Sequence, residues 1–178
     1  FNRMAKKARE VLLLGGEKKN AAVKAAQAKH DPLAEFRDSP YRMRDPKAPS
    51  ALAVLPSWFK QGMGTAALRL PGTQKTAMLQ LVNVPWENEP VYGIPKVLMS
   101  VVRSADINKT PDIRTRAILP EWACKMRIEF IRPIMRETAV TNLLVAAGYI
   151  AGCGDWRQEK GSGSYGSYRV CSADDPDF

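Results

Sequence analysis

The chain has 178 residues, enough for one domain with a buried core, and its 45% apolar and 25% charged residues suit a globular fold rather than a disordered one. A net charge of +9, from 27 Lys/Arg against 18 Asp/Glu, favours polyanionic partners bound with salt-dependent strength. One histidine (His30) and three widely spaced cysteines (Cys124, Cys153, Cys171), with no C-x-x-C, argue against a structural zinc site, which needs about four such ligands brought together, and no apolar run approaches the ~18 residues of a membrane helix.

No cofactor and no membrane partner are therefore expected. An odd cysteine count without a secretory segment points to reduced thiols in a cytoplasm. Taken in order, residues 1–29 read as helix, with Met4, Ala8, Val11 and Leu12 at helical spacing, interrupted at Gly15-Gly16. The Ala/Lys-rich stretch that follows suits either a solvated helix or a mobile basic arm. Residues 30–57 read as loop-rich, since their prolines exclude a regular helix interior or central strand, and they carry Tyr41, Arg42 and Arg44. His30 reads as a surface histidine with no obvious partner.

Ser57 is a plausible N-cap for a helix from Trp58 to Leu70, with Phe59, Met63, Ala66, Ala67 and Leu70 on its buried stripe. Pro71-Gly72 stops it. Strand signals then follow in TAMLQLVNV, VYGIP and KVLMSVV, cut short by Pro85, Pro90 and Pro95. Residues 103–121 look like an extended hairpin arm made basic by Arg103, Lys109, Arg114 and Arg116. Such an arm can reach phosphates, or it can be a solvated edge whose charges block unwanted strand pairing.

Trp122 to Ile131 reads as a strand, because Cys124, Met126, Ile128 and Phe130 alternate with Lys125, Arg127 and Glu129. Thr138 to Ala151 reads as a helix with Val140, Leu143, Leu144, Ala147 and Ala151 on one stripe. A glycine-rich loop follows, with Gly152, Gly154, Gly161, Gly163 and Gly166, and then a final strand from Tyr165 to Cys171. Strand, helix, glycine loop and strand form one β-α-β half of a ferredoxin-like fold.

The loop opens a helix in neither the order nor the spacing that a dinucleotide fingerprint needs, since the third glycine would fall at Arg157. Glycine mixed with arginine and aromatic residues suits a grip on nucleic acid instead. Arg157 and Lys160 are expected to meet phosphates, with Tyr165 and Arg169 beside them. Trp156 is expected to plug the core while Asp155 and Arg157 pair. Tyr41, Trp86 and Tyr165 are candidates for stacking on bases. The tail SADDPDF is acidic and too polar to pack.

Three segments in this order, FNRMAKKARE, VRSADINKTPDIRTRAILPEW and NLLVAAGYIAGCGDWR with GSYGSYRV, resemble a group of small phage and prophage proteins. That group is similar to the RAMP superfamily, specifically the backbone subunits of CRISPR effector complexes. The resemblance implies an α+β, ferredoxin-like (RRM-like) core over residues 1–172, with a hairpin thumb at about 103–121, a glycine-rich loop before the last strand, and an acidic tail at 173–178. It implies a non-enzymatic protein that polymerises along single-stranded nucleic acid in a bacterial host cell. The family's first strand would precede Phe1, so the numbering is expected to begin inside a longer product. No catalytic aspartate stands in the thumb segment. The acidic tail ending in Phe178 resembles tails of single-stranded-DNA-binding proteins and tilts the expected partner from RNA towards DNA. The alternatives are a metal-independent endoribonuclease using His30 and the glycine loop, and a structural phage protein.

Overall fold

Asp31 opens the first helix of the computed structural model, which describes residues 30–103, 111–160, 163–172 and 174–175. Its carboxylate accepts from the backbone N–H groups of Leu33 and Ala34 at 3.1 Å, and Pro32 occupies the first helical position. The helix is α1 (Pro32–Asp38). The readings for residues 1–29, Lys109, Gly161 and the end of the tail lie outside the described residues.

The chain divides into two compact units, one drawn from Phe1–Tyr41 and Gly93–Trp122 and the other from Arg42–Tyr92 and Ala123–Phe178. In the first unit, α1 accompanies an antiparallel hairpin of β5 (Lys96–Arg103) and β6 (Pro111–Ile118), paired in register from Lys96 opposite Ile118 to Arg103 opposite Pro111. Side chains from the helix side cover the outer edge of β6. The Glu35 carboxylate accepts from the Thr115 N–H at 2.9 Å, and the Ser39 hydroxyl oxygen accepts from the Ala117 N–H at 2.7 Å. Ser39, Thr115, Ala117 and Leu119 are buried there.

Beyond β1 (Tyr41–Arg42), which straddles the division, the strands of the second unit are β2 (Leu52–Val54), β3 (Val82–Asn83), β4 (Glu89–Tyr92), β7 (Ala123–Cys124) and β8 (Glu129–Phe130). They form a sheet in the order β1-β2-β4-β7 and a separate β3-β8 pair. The helices are α2 (Pro56–Ala67), α3 (Lys75–Leu81) and α4 (Glu137–Ile150), followed by one 3-10 turn (Gln158–Lys160). Met63, Ala66, Ala67, Met78, Val82, Met135, Val140, Leu143 and Ala147 form the core. Small residues bring α2 and α4 close: a Cβ on Gly62 would stand 3.4 Å from the Ala147 methyl and 3.6 Å from that of Ala151.

The chain is thus mixed α+β with antiparallel sheets, and among the described residues no helix is long and apolar enough to cross a membrane. The two long helical stripes bury as their periodicity predicts, except that Leu144 is only half-buried and Leu70 is exposed because α2 ends at Ala67. Leu55, not Ser57, is the N-cap residue of α2, because Pro56 fits the first helical position, where its missing N–H costs nothing.

Three strand readings differ. Most of TAMLQLVNV is helix α3, with Met78 buried and only Val82 and Asn83 extended. Trp122–Ile131 keeps its alternating exposure, but β7 pairs with β4 and β8 with β3, so the intervening residues 125–128 lie in no strand. Tyr165–Cys171 makes no ladder, only a single parallel bridge between Arg157 and Tyr165. The hairpin arm also starts earlier than residue 103, because KVLMSVV is its first strand.

The segment after the glycine loop is bound to α4 instead of to a sheet. The Tyr168 N–H donates to the Gly148 carbonyl at 3.3 Å, and a Cβ at position 148 would stand 2.0 Å from the Tyr168 carbonyl oxygen. Alanine is ordinarily better than glycine in a helix by ~1 kcal/mol. Here the clash reverses that sign, and Gly148→Ala is expected to destabilise by about 1–3 kcal/mol, read from the denaturant midpoint at constant slope. A stabilised variant would mean that the Tyr168 segment does not lie on α4.

Candidate nucleic-acid interface

The glycine loop is held by its own backbone. Gly152 ends α4 at a φ of +66°, and its N–H donates to the Ala147 carbonyl. Gly166, at a φ of +79°, lets its segment return so closely that a Cβ would fall 1.8 Å from the Cys153 carbonyl oxygen, and the Cys153 N–H donates back to the Gly166 carbonyl at 2.8 Å. Gly163 approaches the Trp156 carbonyl in the same manner, and Gly154 also has positive φ. The close approaches that these glycines allow are therefore taken up inside the loop.

Glu159 ties the loop to α2. Its carboxylate accepts from the Thr65 hydroxyl at 2.9 Å, and from Nε and a terminal nitrogen of Arg157, each at 2.9 Å. The other terminal nitrogen of Arg157 donates to the Gly154 carbonyl at 3.1 Å. Arg157 is therefore a strut of the loop, and its side chain is largely covered.

This scaffold presents two rings. Trp156 is 38% exposed and Tyr165 41% exposed, with centroids 6.1 Å apart and planes tilted by 39°. The Tyr165 N–H donates to the Trp156 carbonyl at 3.2 Å, so one short bridge fixes both rings. Trp156 is not the core plug that its residue type suggested. It has a φ of +53°, a left-handed conformation that costs a non-glycine residue roughly 1–2 kcal/mol. Strain of this kind collects at functional sites. The plug beside α4 is Tyr168 instead, in edge contact with Phe59 at 5.1 Å, and burial raises its hydroxyl pKa above the ordinary tyrosine value.

The remaining expected site residues are dispersed over the two units. Arg169 pairs with Asp175 of the acidic tail. Arg42 lies in β1 and Arg44 in the exposed turn beyond it. Lys160 closes the 3-10 turn and Arg103 closes β5. Arg114 and Arg116 lie two residues apart on β6, hence on one face of the hairpin, opposite Ser100 and Leu98. Trp86 is 83% exposed in the turn between β3 and β4.

The hairpin unit also holds a cluster that sequence reasoning missed. His30 Nδ1 stands 2.6 Å from Glu35 and Nε2 stands 2.8 Å from Asp112, which also pairs with Arg114 at 3.2 Å. His30 and Asp112 are 82 residues apart, so no local spacing announces the contact. The hydrogen bonds to Glu35 and then Asp112 raise the His30 pKa above 6.5. Burial pushes Glu35 up, but the bonds from His30 and the Thr115 N–H outweigh it and leave Glu35 low. With both ring nitrogens engaged, His30 is a brace between α1 and β6.

Two of the thiols are quiet. Burial, then Glu89, pushes Cys124 up to about 11, and burial, then Cys124, pushes Cys153 up to about 12. Among the described residues no group of His, Cys, Asp and Glu side chains is placed to hold a metal ion.

A raised folded pKa means that the His30 proton stabilises the fold fully below about pH 6.5, and that this contribution is lost as pH rises through the folded value. Thermal melts of wild type and His30→Gln across that window should show their Tm difference shrinking as pH rises. A constant difference would mean that the brace does not depend on the proton. Compared with protein-family models, with curated proteins and with solved structures, the chain matches none of them.

Proposed function

We propose that the protein binds single-stranded nucleic acid without reading its sequence, DNA in slight preference to RNA, and that copies assemble along the strand. In this reading the chain is a non-catalytic, ferredoxin-like protein of the RAMP kind, acting in phage replication or recombination or in a CRISPR-like assembly. The family reading rests on the three sequence segments quoted above. The binding reading rests on one structural observation: a basic protein holds two solvent-facing rings, Trp156 and Tyr165, on a loop braced by its own backbone.

Bases stack on exposed aromatic rings at about 1–3 kcal/mol per base, whatever the base, because every base has a π-face. The charge supplies the rest. Residues 1–29 contain eight Lys/Arg and two acidic residues, so they carry six of the nine net positive charges. Arg114 and Arg116 share one face of the hairpin, with Arg114 paired to Asp112.

The two contributions separate in one experiment, titration of fluorescent oligo(dT) and oligo(U) between low and moderate salt. Trp156→Ala and Tyr165→Ala should each weaken binding by about 1–3 kcal/mol and leave the salt slope unchanged. Neutralising Lys18, Lys19, Lys24 and Lys29 to Gln should lower the slope by about 0.7 for each phosphate no longer neutralised. Binding that does not weaken with salt, or that ignores the loss of both rings, contradicts the proposal.

A further inference from the structure

The two edges of the hairpin are treated differently. On β6 the outward N–H groups of Thr115 and Ala117 are taken by Glu35 and Ser39. In an antiparallel pair, residues whose N–H points outward sit opposite partners that also point outward. The partners of Ala117, Thr115 and Ile113 are Val97, Met99 and Val101. The backbone groups of these three therefore face the outer edge of β5, which has no second strand among the described residues. Their side chains share the opposite face from Arg114 and Arg116, and they are exposed: Val97 and Met99 54% each, Val101 71%. An edge of this kind is a template for another strand.

We propose that β5 pairs antiparallel with β5 of a second copy of this chain, about a two-fold axis at Met99. The register is self-complementary. Met99 then faces its own copy, and Val97 faces Val101 of the other copy in both directions. These are the pairs that would exchange backbone hydrogen bonds, since these are the residues whose N–H and C=O face outward.

Charge selects a second copy at this place. A chain with a net charge of +9 repels its copies over most of its surface, so a contact between copies falls where charge is absent. Val97 to Val101 carries none. The bordering Lys96 falls opposite Val102 and Arg103 opposite Pro95, so no like charges meet. Pro95 has no N–H and ends the ladder there. The pairing joins two hairpins into one four-stranded sheet, β6-β5-β5-β6, and sets Ile113 of each copy at the flank of one apolar strip.

A five-residue ladder is small beside the ~1,200 Å² of a standard interface, so the dimer is a weak one. It would supply one of the contacts between copies that assembly along a strand requires, but it forms without nucleic acid and is tested without it. Sedimentation of nuclease-treated protein from about 1 µM to about 1 mM should show a monomer–dimer equilibrium in the wild type. Met99→Lys and Met99→Glu each oppose like charges at the axis and should be monomeric over that range, with unchanged circular dichroism. An equimolar mixture of the two should restore the dimer, because lysine then faces glutamate. Hydrogen exchange in the wild type provides a second measurement that needs no variant: the amides of Val97, Met99 and Val101 should gain protection as concentration rises. A monomeric wild type, variants that dimerise as well as wild type, a mixture that stays monomeric, or exchange at these amides independent of concentration would each overturn the proposal. The binding reading is decided separately, by the salt slope and the ring substitutions, so it can stand or fall whichever of these outcomes is found.

Discussion

The presentation of Trp156 and Tyr165 depends on one close contact, the backbone of Tyr168 lying against Gly148. α4 leaves the core with Val140, Leu143 and Ala147 facing inward and the small side of its last turn facing the returning chain. Only a residue without Cβ at position 148 lets that chain come close enough for the Tyr168 N–H to reach the Gly148 carbonyl. Once Tyr168 is seated against Phe59, both ends of the loop are fixed on α4, and Glu159 fixes its middle to Thr65. A loop restrained at three places loses little further entropy when something stacks on its rings.

The hairpin unit is stabilised by the opposite means. Among the described residues its buried members are Ser39, Pro40, Thr115, Ala117 and Leu119, and two of these are polar. Polar side chains supply order there. Glu35 uses one carboxylate oxygen on His30 and the other on the Thr115 N–H, so a single side chain joins the brace to the strand edge. A backbone edge satisfied by side chains cannot accept a further strand, whereas the β5 edge has no second strand among the described residues.

The sequence showed helices α2 and α4 plainly, because their apolar stripes run for three turns or more and one period explains them. Short apolar runs gave no such discrimination. Lys75–Leu81 has too few residues to separate a helical from an alternating pattern, and packing of Met78 into the core decides for helix. At Trp122–Ile131 the alternation correctly reports which side chains are covered, but not that the chain changes partners from β4 to β3 along its length. In the loop, the position of the glycines was readable and their task was not. They serve contacts of the chain with itself, which only the folded backbone reveals. Trp156 was misread because residue type favours burial, whereas its left-handed backbone follows from the loop path around it.

Three of the described arginines are engaged in a way that net charge conceals. Arg157 is spent on Glu159 and the Gly154 carbonyl, Arg169 on Asp175, and Arg114 is shared with Asp112. Such pairs hold side chains in place but add little field at a distance, since each cation is cancelled by a near anion. Residues 1–29, with eight basic and two acidic side chains, hold most of the excess positive charge instead. In the proposed binding mode, long-range attraction of a polyanion and short-range grip would thus fall to different parts of the chain. The first is screened by salt, and the second, built from rings and backbone, is not.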